Sequence, residues 1–418
     1  MPIVAGVDSS TQSVKVVLRD ADSGELVAST SRPHPDGSEV NPQHWWKALS
    51  EALDELSSHK ISAISIAGQQ HGMIALDKDG AVIRDALLWN DTRSDKAAED
   101  LNREIPDIAL RTGSQLVASF TASKVRWLVD SEKANANRVA AIALPHDWLS
   151  WKLSGAKSIE TLFTDRSDAS GTGYFDSRKN EYCLDILATA IRTNQEIILP
   201  KIIAPNQFGT TSTNSIPIAA GAGDNAGAAL GLGASLGDLV ISLGTSGTAF
   251  AISKSSTHDS SGEVAGFADA TGNFLPLACT LNAAKIFNTV AKSLSLSFEE
   301  FSSLALSAKV GAEGLRIIPH FDGERTPNKP SAKGSFHGIT HSNFTKENIA
   351  RASIEGVIAG MIYAARAVER QGVSYSRILL IGGAAKNSAV QQIAADLFGR
   401  TIHIPPIGEY VADGAAKQ

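Results

Sequence analysis

Asp224 stands in "AGAGDNAG" (residues 220–227), a carboxylate on a backbone with almost no side chains around it. Two chemistries suit such a stretch. Glycines can turn a chain tightly around a dinucleotide pyrophosphate, or they can leave room for a substrate to reach a reactive carboxylate. The segments "GAGDNAG" (221–227) and "GLGASLG" (231–237) each place glycine first, third and seventh, a loose imitation of the pyrophosphate motif. That motif also needs an acid at the end of the next strand to hold the ribose. The next strand, "DLVISLG", runs out into Gly244 and Thr245, and its acid, Asp238, stands at its start, the wrong end. The pyrophosphate reading is therefore disfavoured. Asp224 remains as a candidate general base or a helix N-cap, two roles that can coexist.

No G-x-x-x-x-G-K-[ST] occurs, which disfavours a P-loop nucleotidase. Two hairpin loops remain, "GVDSSTQSVK" (6–15) and "SLGTSGTAF" (242–250). Ser10, Thr11 and Gln12 in the first, and Gly244, Thr245, Ser246 and Gly247 in the second, can turn backbone N–H groups toward an anion. Either loop alone is explained by a tight turn. Their recurrence at matching positions favours a shared phosphate clamp. Asp8 would repel phosphate unless a divalent cation lay between them, so it implies Mg²⁺, held partly through water.

The elements that must position these residues read as α/β. "IVAGV", "SVKVVLRD" and "LVAST" are short apolar or alternating strands. "NPQHWWKALSEALDEL" predicts an amphipathic helix, with Asn41 as N-cap and Pro42 at its first position. "ISAISIAG" is a buried strand ending in "AGQQHG". The order returns later: "DLVISLGTSGTAFAIS", the long helix "KENIARASIEGVIAGMIYAARAVERQ", and the strand "RILLIGG" leading to "GGAAKN". This repeated plan predicts two related α/β domains around a cleft, joined near "SIPIAAGAGD".

Composition bounds the partners. A chain of 418 residues exceeds what one core usually organises, and 43% apolar with 20% charged residues is ordinary for a globular protein. A net charge of −6 without a basic face argues against nucleic acid and anionic membrane as partners. Cys183 and Cys279 have no metal-ligand spacing and read as buried, reduced thiols. No signal peptide and no long apolar run are visible, so the expected location is cytoplasmic.

Taken in order, "GVDSSTQSVK", "IAGQQHG", "LLWNDTRS", "GAGDNAG", "SLGTSG", "GERTPN" and "IGGAAKN" resemble the FGGY carbohydrate kinases, from Gly6 to Ala416. The resemblance implies two actin/hexokinase/Hsp70-like (ribonuclease H-like) α/β domains around a central catalytic cleft. Residues 1–217 would carry the sugar site and first phosphate loop, and 218–418 the base, second phosphate loop and adenosine loop. The family continues past "EYVADGAAKQ" with a further helix. The implied reaction moves the ATP γ-phosphoryl group to a sugar hydroxyl, with ATP and Mg²⁺ as cofactors. The implied acceptor is a ketopentose, D-xylulose foremost, with ribulose, another pentulose or a pentitol as alternatives.

By position, Asp224 takes the role of base, and Gln70, His71 and Asn225 that of sugar contacts. Gly383, Ala384 and Asn387 would meet the adenosine. Asp91 and Arg93 are either near the sugar or an ion pair, and Arg325 is expected to brace its domain through an ion pair. A rival reading is an actin-like ATPase or sugar sensor without transfer activity, which would not need Asp224. The oligomeric state is left open, a homodimer included.

Overall fold

The computed structural model describes residues 2–192 and 196–418, and contacts divide the chain into two compact units. Unit 1 is Met1–Ala234, Gly266–Phe274 and Ile407–Gln418; unit 2 is Ser235–Ala265 and Leu275–Pro406. This division by packing differs from the expected join at 217/218, because residues 218–234 pair and pack within unit 1.

Unit 1 is built on a sheet of seven strands among the described residues: β1 (Ile3–Ser9), β2 (Ser13–Asp20), β3 (Leu26–Pro33), β4 (Ile61–Gly68), β5 (Phe208–Thr211), β6 (Pro217–Ala219) and β7 (Ala222–Gly223). Their order is β5-β6-β4-β1-β2-β3, with β7 also paired to β4. β1, β6 and β7 all run parallel to β4, and the β1–β2–β3 connections are antiparallel. Helix α1 (Gln43–Glu55) buries Trp45, Ala48, Leu49 and Ala52, one stripe at helical spacing, in the same core as Val14, Val16 and Leu18 of β2. Its cap lies one residue later than expected. Pro42 is the N-cap, and Asn41 instead accepts the Gln43 N–H at 3.0 Å.

Three more helices of unit 1 lie at the site or behind it: α2 (Pro145–Leu153), α3 (Arg166–Ala169) and α4 (Asp224–Leu232). α4 packs against the C-terminal helix Tyr410–Lys417, and the two backbones meet at their glycines. A Cβ on Gly231 would lie 1.9 Å from Tyr410 O, and one on Gly414 would lie 1.9 Å from Gly227 O. Glycine is the residue that permits this approach.

Unit 2 repeats the plan. β8 (Asp238–Leu243) pairs antiparallel with β9 (Gly247–Ala251), which pairs with β10 (Phe274–Thr280); β11 (Arg377–Ile381) runs parallel to β8. Helix α5 (Lys346–Arg370), capped by the Thr345 side chain, buries Ile354, Val357, Ile358, Met361, Ala364, Ala365 and Val368 in the core of this sheet. Helix α6 (Ser388–Phe398) comes after β11. The repeated hairpin, helix and parallel strand expected from the sequence are all present. No helix among the described residues is long and apolar enough to cross a membrane.

Candidate active site

In unit 1, three neighbouring parallel strands place their carboxyl ends side by side. Asp8 of β1 and Ala222 of β7 both pair with Ala67 of the central strand β4; Ser9 and Gly223 both pair with Gly68. The chain therefore leaves all three strands at one edge of the sheet, into the Ser10–Gln12 turn, the Gln69–His71 segment and Asp224. Carboxyl ends of parallel strands are where open α/β sheets present ligand sites.

Asp8 is buried, and its Oδ1 has no hydrogen-bond partner among the described residues. Burial pushes its pKa up to about 7; Lys15 opposes the rise, and the charges of Asp224 and Glu409 add to it. Lys15 is shared with Glu409, 2.6 Å away. An unpartnered carboxylate oxygen held out of water suits a divalent cation.

Asp224 is half-buried at the first position of α4. The N-cap is Gly223, so the N-cap alternative does not hold. Oδ1 accepts from the N–H of Asn225 at 2.7 Å and from its Nδ2 at 2.8 Å, while Oδ2 takes no hydrogen bond from the described residues. Burial raises the pKa to about 6, against the pull of the two Asn225 hydrogen bonds. An ionised carboxylate with one oxygen unengaged, near neutral pH, can take a proton from an alcohol.

The Gln70 amide donates to Ser167 O at 3.1 Å and crosses directly over Gly223, where a Cβ would lie 2.6 Å from its Nε2. Ser167 Oγ accepts the Gly223 N–H at 3.0 Å, so Ser167 links Gln70 to the residue before Asp224. His71 has a left-handed backbone (φ 70°), and its Nδ1 donates to Gly171 O at 2.6 Å. The ring lies 4.8 Å from Phe120 and 5.6 Å from Phe267, centroid to centroid. Ser167 was not singled out in the sequence. The signal was "TDRSDASG", where Asp165 caps α3 by accepting the Ser167 and Asp168 N–H groups. Gln69 was also missed: it is buried, and its Oε1 accepts from Thr11 Oγ1 at 3.3 Å.

The first phosphate-type turn differs from expectation in detail. Ser10 Oγ donates to Ser13 O at 2.9 Å, and Thr11 Oγ1 accepts from Trp89 at 2.9 Å, so both hydroxyls face the protein. What remains for an anion is the N–H groups of Thr11 and Gln12, which have no acceptor among the described residues.

In unit 2 the Gly244–Gly247 turn closes through the Gly244 N–H to Ser246 O at 3.0 Å. Its Gly244 and Thr245 carbonyls accept from Ala284 and Ala283. The N–H groups of Thr245 and Ser246 likewise have no acceptor among the described residues. In the loop after β11, Gly383 is exposed and Ala384 is buried in the core. Asn387 is not available as expected. Its Oδ1 caps α6 through Ala389 and Val390, and its Nδ2 donates to Ser302 at 2.7 Å.

Asp91 and Arg93 form an ion pair at 2.8 Å. Arg325 forms no ion pair among the described residues; the buried Glu324 does the bracing, accepting from Leu281 N at 2.6 Å and Asn282 Nδ2 at 3.0 Å. Cys183 and Cys279 are unbridged and half-buried rather than fully buried.

Residues 3–231 match the N-terminal domain of the FGGY family of carbohydrate kinases, and residues 239–418 match its C-terminal domain. A xylulose kinase of Streptomyces coelicolor is 41% identical over 435 aligned positions, covering 100% of this chain and 87% of that relative. The solved structure of a xylulose kinase from Bifidobacterium adolescentis superposes with a TM-score of 0.92 at 42% identity, covering 99% of this chain and 91% of the other. A gluconate kinase structure from Lactobacillus acidophilus matches with a TM-score of 0.91 at 25% identity, over 99% of this chain and 88% of the other.

Proposed function

The chain belongs to the FGGY family of carbohydrate kinases, with its actin/hexokinase-like fold, and we propose that it phosphorylates D-xylulose to D-xylulose 5-phosphate. The observation that carries this reading is the full-length likeness to xylulose kinases at about 40% identity. The gluconate kinase match is why the acceptor needs a direct test.

In the proposed mechanism Asp224 Oδ2 takes the proton of the sugar hydroxyl. That hydroxyl's oxygen forms a bond to the γ-phosphorus of ATP, the bond from the γ-phosphorus to the bridging oxygen breaks, and ADP leaves. Asn225 fixes the carboxylate by holding Oδ1. Gln70, tied to Ser167, and His71, tied to Gly171, present their polar atoms to the sugar. Mg²⁺ would be held by Asp8, whose unpartnered Oδ1 fits it, and would supply neutralisation of phosphate charge. The free N–H groups of Thr11 and Gln12, and of Thr245 and Ser246, are the proposed phosphate contacts. Gly383 is the proposed point of close approach to adenosine, with Ala384 and Asn387 shaping that loop from behind. Sugar contacts thus fall in unit 1 and adenosine contacts in unit 2. We place the enzyme in the cytoplasm, where ATP and Mg²⁺ are supplied.

The test is ADP release, coupled to NADH oxidation, across D-xylulose, D-ribulose, aldopentoses, glycerol and gluconate, with the phosphorylated product weighed by mass spectrometry. D-Xylulose is expected to give the highest kcat/KM. No stimulation by any ketopentose would overturn the assignment.

A further inference from the structure

Behind the site lies a buried charge cluster that the mechanism does not use. His146, on α2, is fully buried with Asp147, Asp165 and Asp168 around it. Its Nδ1 is 3.4 Å from Asp147 Oδ1; its Nε2 is 3.3 Å from Asp165 Oδ1 and 3.4 Å from Asp168 Oδ2. A neutral imidazole has one N–H, yet both edges of this ring face carboxylates. Nε2 hydrogen-bonds Asp165, while Nδ1 faces Asp147 at ion-pair distance without a hydrogen bond among the described residues, so a doubly protonated, cationic ring answers the charge on both edges. His146, Asp147 and Asp168 also lie close enough together for a metal ion, the alternative that the metal measurement below decides. Burial alone would lower the pKa of the ring, but Asp147, Asp168 and Asp165 outweigh it and hold it at about 10.

The ring is wedged where the site segments meet. A Cβ on Gly221 would lie 3.0 Å from His146 Nδ1, and one on Gly68 would lie 3.2 Å from His146 Cβ. Gly221 leads to Asp224, and Gly68 leads to Gln70. On the third side, Asp165 orders α3 by accepting the Ser167 N–H at 2.6 Å and the Asp168 N–H at 3.0 Å. Ser167 then holds both Gln70 and Gly223.

We propose that His146 is a positioning residue: its imidazolium pins the Asp165–Asp168 turn, and Ser167 on that turn sets Gln70 and Asp224 for the sugar. This rests on Asp224 being the base. Burial pushes the carboxyls of Asp147 and Asp168 up, to about 6 for Asp147, and His146 opposes the rise; without it, the two oxygens of Asp168 and Oδ1 of Asp147, which have no hydrogen-bond partner among the described residues, would lose the cation that keeps them ionised. The cluster would open, and the alignment of Asp224 with it. Lysine can restore the positive charge where glutamine cannot.

The experiment measures kcat and both KM values for D-xylulose phosphorylation by His146→Gln, His146→Lys, Ser167→Ala and Asp224→Asn, with thermal melts and ATP binding as checks on folding. Expected are a loss in kcat of at least tenfold for His146→Gln with ATP KM within twofold, recovery to within about threefold by His146→Lys, and at least a threefold kcat loss for Ser167→Ala. Should His146→Gln not fold, Ser167→Ala decides, because it leaves the ion cluster intact. Near-normal kcat in the folded His146→Gln variant, or in Ser167→Ala when that variant decides, would overturn the proposal. So would stoichiometric metal in the wild-type protein that His146→Gln loses. If Asp224→Asn kept its turnover, the base reading would fail instead, and the positioning role with it.

Discussion

Asp224 and Asp8 carry raised pKa values for the same reason, burial, and the consequences differ. A base must be ionised to work, so kcat/KM for the sugar should rise with pH through about 6 and level off above it, as Asp224 loses its proton. A rate–pH profile measures this; an acid limb centred near 4 would mean that Asp224 is solvated like an ordinary carboxylate. For Asp8, a folded pKa of about 7 lies above the ordinary carboxylate value, so the proton is bound more tightly in the folded state. The ionised form therefore costs stability most fully above pH 7, and the cost shrinks as pH falls toward the unfolded value. Asp8→Asn is expected to raise Tm by a few degrees at pH 8, less at pH 5, while phosphorylation falls sharply. A lowered Tm at pH 8 would show that Asp8 is stabilised as an anion. Both aspartates were legible because residue type and glycine surroundings limited what they could do. Ser167 was not, since its role depends on strands and turns distant in sequence meeting at Gly223.

At the scale of elements, the strands and long helices were legible from periodicity: β2, β4 and α5 fall on the segments that alternation or 3.6-residue spacing marked out. Helix caps were less legible, because a cap is decided by the geometry of one or two residues. Asn387 is the instructive case. It lies in a loop resembling an adenosine contact, yet its side chain is used by the next helix, α6. Asn387→Ala should cost ~1 kcal/mol in a denaturant melt, the ordinary worth of an N-cap, with ATP KM changed less than threefold. A large KM change without loss of stability would return Asn387 to the adenosine. The glycine contact between α4 and the C-terminal helix makes a second prediction. Gly231→Ala must push the Tyr410 carbonyl away, moving the helix that begins with Asp224, so Tm and kcat should both fall. Unchanged values would mean that the helices separate without cost to the site.

At the scale of the molecule, the repeated hairpin and parallel strand were visible as a weak duplication, and each unit has that plan around its own core. The packing boundary was not visible. The expected join lay near "SIPIAAGAGD", but β7 pairs with β4 and residues 218–234, Asp224 included, fall in the first unit. Asp224, the proposed base, is thereby placed on the same sheet edge as Asp8 and the Gln69–His71 segment. The central claim is that Asp224 accepts the proton in phosphoryl transfer from ATP to D-xylulose. It is tested most directly by the turnover of Asp224→Ala on D-xylulose, alongside its ATP affinity by calorimetry. The expected result is a loss in kcat of ~10²-fold or more with ATP binding retained. Turnover within a few-fold of the wild-type enzyme would contradict the account.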